Sequence, residues 1–272
     1  MAPRAQRVKP GLRAPRGFSI RSAMSRYDFT TQRLFLDAPL SAGATVALDR
    51  DQANYLVNVL RMAPGAAVLV FNGREGEWRA RLEGDRKRAG LRIEEQTRPQ
   101  TPAADLHYLF APLKHARLDY MVQKAVEMGA GRIRPVITRR TQATRLNEER
   151  LAANAIEAAE QCGVLSIPAI DAPRPLDAVV AAWEAETPGR RLVFCDEDAA
   201  GADALAILAP YRGQALAVLV GPEGGFAPEE RAMLTRLPFV TAIPLGPRIL
   251  RADTAAVAAL ALVQAAAGDW RE

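Results

Sequence analysis

Two glycine-bearing segments near the carboxyl end of the chain have the residue types needed to hold a ligand. Residues 221–226 follow the apolar run 215–220, and residues 246–251 follow the run 240–245. Glycine permits left-handed backbone angles and lets main chain approach a flat ligand without side-chain obstruction. One such turn is more often ordinary turn chemistry, but two together favour a ligand site. The first segment matches neither G-x-G-x-x-G nor G-x-x-x-x-G-K-[ST], which argues against a dinucleotide fingerprint and a P-loop.

The elements that would position these segments alternate between strand and helix. The pattern predicts strands at 106–111, 133–138, 191–195, 215–220 and 240–245, and helices at 116–128, 148–161, 176–185, 202–208, 228–237 and 253–267. Such alternation predicts a largely parallel sheet with helices on both faces. Ligands of these sheets bind at the carboxyl ends of the strands. We expect strands 215–220 and 240–245 to be neighbours, so that both glycine segments meet.

The first half of the chain has a different pattern, with short β segments and turns. Strands are predicted at 33–36, 45–48, 67–71, 77–82 and 90–93, with one helix at 51–61. Two prolines within residues 97–102 break regular structure, because proline removes a donor and restricts the residue before it. We therefore predict a β-barrel-like domain over 29–99 and an α/β domain over 103–272.

Composition limits the class of protein. The net charge of +5 is concentrated in residues 1–26, which carry seven cations and no acid, so the remainder is near −2. Residues 1–28 are predicted to be a disordered basic extension: an RNA-contacting arm, a targeting peptide, or an upstream extension of a chain that starts at Met24. Two cysteines and two histidines predict no metal site and suit a reducing cytoplasm. No apolar run is long enough for a membrane helix.

The motifs, taken in order, resemble those of the ribosomal RNA small subunit methyltransferase E family. The matching segments are Lys114 within Ala-Pro-Leu-Lys and residues 124–129, 135–140, 159–163, 219–226 and 245–251. Residues 59–61, 64–65 and 71–73 resemble the PUA-like domain of that family. The resemblance covers about residues 31–267, and the ordered combination of motifs is strongly specific.

This resemblance implies an α/β fold, in which a PUA-like RNA-binding β-barrel is followed along the chain by a methyltransferase domain. The methyltransferase domain would be a SPOUT-type parallel sheet with a trefoil knot. It implies a homodimer that uses S-adenosyl-L-methionine to methylate N3 of a uridine in 16S rRNA of the small ribosomal subunit. The residues implied in cofactor binding are Leu219, Val220, Gly221, Glu223, Gly224, Gly225, Leu245, Gly246, Ile249 and Leu250.

The implied reaction needs positive charge, because the N3 imide of uridine becomes a good nucleophile only after losing its proton. Arg251 is our first choice for stabilising the resulting anion, and Arg248 is the second. Arginine stays protonated, so the proton must go to water or to a carboxylate such as Glu223 or Asp253. The alternative is structural, with both arginines paired to Glu223 or Asp253.

N3 lies on the Watson–Crick edge, so the target uridine must be unpaired or extruded before it reacts. RNA contacts are expected at Arg139, Arg140, Lys114 and Arg61, which lie in matched motifs. A further basic stretch at 74–92 is interleaved with acids, and an RNA surface and a mixed solvated surface are equally good interpretations of it.

The sequence departs from the family pattern at two places. Val164 stands where the family commonly has arginine, which removes a possible phosphate or substrate contact, and Ala252-Asp253 replaces a common Thr-Glu pair. A non-catalytic RNA-binding or ribosome-assembly protein is one alternative, and a SPOUT methyltransferase acting on another RNA is a second. Uptake of the cofactor would distinguish the first from an enzyme.

Overall fold

A computed structural model describes residues 28, 30–84, 88–114, 116–142, 145–199 and 201–271. Residues from Gln32 onward form one compact unit that contains two sheets. The predicted basic extension, 1–28, lies outside the described residues apart from Asp28. No helix within the described ranges is long and apolar enough to cross a membrane.

The first sheet lies in the amino-terminal half. Its strands are β1 (Arg33–Phe35), β2 (Thr45–Ala47), β3 (Ala67–Phe71), β4 (Glu77–Glu83) and β5 (Gly90–Arg98). Their order is β1-β3-β4-β5-β2, with β1 parallel to β3 and the other pairs antiparallel. Alternate side chains of β3 to β5 form its core, because successive side chains of a strand point to opposite faces.

The predicted helix 51–61 is shorter than expected. Helix α1 (Arg50–Asn54) starts with a capping box between Asp49 and Gln52 and passes into a π-helical turn, Tyr55–Val59. The wider turn ends where the Leu60 N–H donates to the Tyr55 carbonyl at 2.9 Å. Arg61 then takes a left-handed φ of 54°, which no helical residue has.

The second sheet is entirely parallel. Its strands are β6 (Leu106–Phe110), β7 (Arg132–Ile137), β8 (Ala169–Ile170), β9 (Arg174–Pro175), β10 (Arg191–Cys195), β11 (Leu216–Val220) and β12 (Val240–Ile243). The order is β12-β10-β11-β6-β7-β8, with β9 also paired to β7. The expectation that β11 and β12 are neighbours is therefore wrong, because β10 hydrogen-bonds to both and lies between them.

Helices cover both faces of this sheet. They are α2 (Ala116–Glu127), α3 (Glu148–Cys162), α4 (Leu176–Ala181), α5 (Trp183–Glu186), α6 (Ala204–Leu208), α7 (Pro228–Leu234) and α8 (Ala252–Ala267), with 3-10 turns at Ala209–Tyr211 and Asp269–Arg271. Helices α2, α3 and α8 share one core, whereas α4, α5 and α7 share the other. The predicted helix 176–185 is divided, because Ala182 leaves helical geometry at φ −91° and ψ 0°.

The expected break at 97–102 begins later than its first residue. Residues 97 and 98 continue β5, and Arg98 pairs across the sheet with Glu77 of β4. Proline 99 then ends the strand. The domain limits themselves, 29–99 and 103–272, stay a prediction.

A buried charged triad joins the first sheet to the end of α3. The Glu77 carboxylate accepts from Arg33 Nε at 2.9 Å and from Arg98 Nη2 at 2.7 Å. Arg98 Nη2 also donates to the carbonyl of Gly163, the residue that follows α3, at 2.9 Å. The triad therefore connects residues of both halves of the chain.

Glu160 of α3 makes a second connection to the first sheet. Its Oε1 accepts the backbone N–H of Phe35 in β1 at 2.8 Å. The pKa of Glu160 is raised to about 7, mainly because burial disfavours the charged carboxylate, with a further increase from Glu157; the Phe35 hydrogen bond opposes the shift. The matched motif at 159–163 thus contacts the first sheet through this carboxyl.

This raised pKa predicts that stability falls as pH rises. Between pH 4.5 and pH 7, the unfolded state has lost the Glu160 proton whereas the folded state still holds it, so deprotonation favours unfolding. Glu160→Gln keeps the acceptor oxygen but cannot lose a proton. As the pH rises from 5 to 8, we expect the free energy of unfolding of this variant to increase by about 2 kcal/mol relative to that of the wild type. Urea unfolding at several pH values measures this gain. Glu149→Gln, at an exposed position of the same helix, is the control, and an equal pH slope in wild type and Glu160→Gln would contradict the prediction.

Candidate active site

A cavity of about 610 Å³ opens at the carboxyl ends of β10, β11 and β12. Its walls are the residues that follow these three strands, together with α7 and the first turn of α8. This is the edge of a parallel sheet at which ligands bind, since the loops after the strands converge there. The volume also falls in the range of about 300–1,000 Å³ typical of small-molecule sites.

Most of the residues proposed for cofactor binding line this cavity. They are Val220, Gly221, Glu223, Gly225, Leu245, Gly246, Ile249 and Leu250. Arg248, proposed for catalysis, and Arg140, proposed as an RNA contact, also line it. Leu219 does not line it, because alternate residues of β11 face the opposite core and its side chain is fully buried there. Gly224 does not line the cavity either and lies against the Arg140 side chain.

Packing explains one glycine of the first loop, and backbone conformation explains another. A Cβ at Gly221 would lie 2.5 Å from the Phe226 ring, and one at Gly225, where φ is +68°, would lie 2.6 Å from Glu197 Oε1. A side chain at Gly221 would displace the Phe226 ring. At Gly225 the exposed Glu197 carboxylate could move away, and it is the positive φ that favours glycine there.

The end of β10 supplies part of the site that the sequence analysis did not include. Asp196, Glu197 and Asp198 follow β10 directly and line the cavity. The buried Asp196 carboxylate accepts from Arg231 Nε of α7 at 2.9 and 3.0 Å, whereas Glu197 and Asp198 are exposed. Three acids directly after an apolar strand could have indicated a ligand site in the sequence. That they belong to this cavity, however, depends on the position of β10 in the sheet.

The charged residues proposed for catalysis occupy different positions. Arg248 is exposed on the cavity wall, whereas Arg251 is the exposed residue preceding α8 and does not line the cavity. Glu223 forms an ion pair with Arg117 of α2. Among the described residues neither Arg248 nor Arg251 forms an ion pair, so the alternative in which they pair with Glu223 or Asp253 is not the arrangement seen.

The proposed RNA contacts are spread over three regions. Lys114 is exposed between β6 and α2, at the same sheet edge as the cavity, and Arg139 and Arg140 follow β7 at that edge. Arg61 lies in the first domain, exposed and in the left-handed region, beside the exposed side chains of Val59 and Leu60. A non-glycine residue with such angles costs about 1 kcal/mol or more, and strain of this kind concentrates at functional sites.

Family models match both parts of the chain. An RNA methyltransferase domain matches residues 99–264, and an RNA methyltransferase PUA domain matches residues 48–94. The chain is 28% identical over 235 residues to the ribosomal RNA small subunit methyltransferase E of Rickettsia conorii, covering 85% of this chain and 94% of the relative. It is 29% identical over 245 residues to the protein of the same name from Mycobacterium bovis, covering 87% and 92%.

Two solved structures of methyltransferases are similar to this chain over most of its length. The Legionella pneumophila protein Lpg2936, in complex with bound SAM, has 30% identity and a TM-score of 0.76, covering 88% of this chain and 99% of that one. The ribosomal RNA small subunit methyltransferase E of Neisseria gonorrhoeae, bound to S-adenosyl methionine, has 29% identity, the same coverage and a TM-score of 0.76. The fold and the site thus define a SPOUT-type RNA methyltransferase domain that follows a PUA domain along the chain, as predicted. The chain belongs to the ribosomal RNA small subunit methyltransferase E family.

Proposed function

We propose that this protein transfers a methyl group from S-adenosyl-L-methionine to N3 of a uridine in 16S rRNA. The observation that carries the proposal is the cavity in which both glycine segments meet, with Arg248 on its wall and in no ion pair with the described residues. Membership of the family supplies the substrate class. The cavity is suited to a cofactor, and the exposed arginine is suited to a negatively charged base.

The cavity suits the methyl donor by its charge and shape. The donor combines a flat adenine with sulfonium and ammonium cations, and it supplies an electrophilic methyl group when bound. Glu197 gives one wall negative charge that favours those cations, whereas Asp198 pairs with Arg231 at 3.3 Å. The backbone groups of residues 220–225 and 245–250 would hold the adenine, with Gly246 turning the second loop at a φ of 93°.

The arginines of the second loop would act on the target base. Arg251 and Arg248 would stabilise the uridine anion, because a fixed positive charge lowers the energy of developing negative charge. Glu223 is already held by Arg117, which leaves water or Asp253 as the proton acceptor. Ile249, which is 94% exposed at the cavity wall, offers an apolar surface to the extruded base.

RNA binding would involve both domains. Lys114, Arg139 and Arg140 lie at the sheet edge that bears the cavity, and Arg61 would extend the contact onto the PUA domain. We further propose a homodimer acting on the small ribosomal subunit in the cytoplasm, where ribosomal RNA is available. These finer assignments rest on the family pattern and on the exposure of these cations.

Mapping of modified uridines tests the proposed function most directly. Deleting the gene should remove one N3-methyluridine from 16S rRNA, and the wild-type gene should restore it. Mass spectrometry of nuclease fragments gives the position and the type of methylation together. An unchanged uridine pattern with loss of methylation in another RNA would identify a different substrate, whereas pure folded protein that takes up no S-adenosyl-L-methionine would contradict the enzymatic proposal.

A further inference from the structure

We propose that Arg140 is a positioning residue for the cofactor loop, residues 221–226, rather than only a contact for RNA phosphates. Its Nη1 donates a hydrogen bond of 2.7 Å to the backbone carbonyl of Gly224. The Arg140 side chain also packs on Gly224, with Cδ 3.6 Å from the position of a Cβ there, and it lines the cavity. The inference rests on the proposed function of that cavity.

The backbone that carries Arg140 is itself held in place. The Thr138 N–H donates to Thr141 Oγ1 at 2.8 Å, which closes the turn after β7. Within this turn the Arg139 N–H donates to Glu230 Oε1 of α7 at 2.8 Å. Thr138 and Glu230 are both buried, so the turn has little freedom to move.

Glu230 connects this turn to the far end of the cofactor loop. Its other oxygen, Oε2, accepts the N–H of Ala227 at 2.9 Å, at the start of α7. The loop is therefore held at Ala227 through Glu230 and at Gly224 through Arg140. Within the loop, the Gly225 N–H donates to the Pro222 carbonyl at 2.9 Å. Loss of the Arg140 guanidinium would release the Gly224 peptide while leaving the rest of the framework in place.

Arg139 provides a matched control. It belongs to the same turn, has the same charge and is also exposed, so it offers RNA phosphates a similar electrostatic attraction. Among the described residues, however, its side chain pairs only with Glu229, at 3.3 Å and with both side chains 65% exposed, and such surface pairs contribute little. Replacing each arginine by alanine therefore removes equal charge but only one loop contact.

We would compare Arg140→Ala, Arg140→Lys and Arg139→Ala by calorimetric titration with S-adenosyl-L-methionine in the absence of RNA. Loss of a charge-assisted hydrogen bond predicts that Arg140→Ala weakens cofactor binding about tenfold. Arg139→Ala should remain within about twofold of wild type, and Arg140→Lys, which keeps one donor, should be intermediate. Both alanine variants should weaken RNA binding similarly and flatten its salt dependence similarly.

Hydrogen exchange of the ligand-free proteins separates this inference from the proposed function. The amide of Gly225, which belongs to the peptide that Arg140 holds, should exchange faster in Arg140→Ala than in Arg139→Ala, because only the first variant frees the loop. Equal exchange in the two variants, or equal cofactor affinity, would overturn the positioning role and leave a phosphate contact. If the wild type bound no cofactor, the proposed function would fail, while the exchange comparison would still decide the role of Arg140.

Discussion

Replacing Arg251 by alanine should lower the rate constant of methyl transfer about 100-fold, with little change in cofactor affinity. The reason is electrostatic, because removing one fixed donor aimed at developing negative charge costs about 100-fold to 1,000-fold in rate. Arg251 is exposed before the first turn of α8 and forms no ion pair with the described residues, so it is available to the base. Single-turnover methylation of small-subunit rRNA at saturating cofactor measures this step.

Two further arginine variants test whether the loss of rate is specific to Arg251. Arg236→Ala removes a cation that lines the cavity from the turn after α7, and it should stay within about threefold of wild type. Arg248→Ala removes the arginine that the second loop places directly on the cavity wall. A normal rate for Arg251→Ala with a large defect in Arg248→Ala would assign the anion to Arg248, and normal rates in both would remove the electrostatic role.

The buried triad predicts the largest effect on stability. Glu77→Ala should lower the free energy of unfolding by about 3–5 kcal/mol, because it leaves two buried guanidinium groups without their shared carboxylate. The side chains of Glu77, Arg33 and Arg98 are 2%, 5% and 11% exposed. Burial alone would raise the pKa of Glu77, yet hydrogen bonds from Arg98, Thr97 and Arg33 hold that pKa below its usual value.

Glu83 offers a control on the same strand. It also pairs with an arginine, Arg92, at 2.6 Å, but the two side chains are 45% and 51% exposed. Water screens such pairs, so Glu83→Ala should cost about 0–1 kcal/mol. Denaturant unfolding of both variants at pH 7 measures the difference. A loss below about 1 kcal/mol in Glu77→Ala would mean that the triad does not stabilise the fold.

The sequence was informative wherever a local pattern decided the structure. The runs 67–71 and 191–195 are strands with the predicted bounds, because β-branched and apolar residues bounded by turn residues favour extended backbone. Helix α3 ends one residue beyond the prediction, where Gly163 takes a φ of +67°. Most residues chosen from the two glycine segments also line one cavity, because both segments follow strands that end at the same sheet edge.

These local patterns did not predict the order of the strands in the parallel sheet. Nothing in the run 191–195 indicates that it lies between β11 and β12, because hydrogen bonds between parallel strands do not depend on the identity of their side chains. Asp196 was missed for this reason. Its part in the cavity depends on that central position.

By itself, the sequence determined the alternation of strands and helices, the two glycine segments and the family. Each of these depends on residues that are neighbours along the chain. Only the tertiary structure decided that Glu223 pairs with Arg117, that Arg140 holds the Gly224 carbonyl and that Glu77 joins Arg33 to Arg98. Partners in these contacts lie 21 to 106 residues apart. Local periodicity determines which face a side chain occupies, whereas the packing of the whole chain selects the group it meets there.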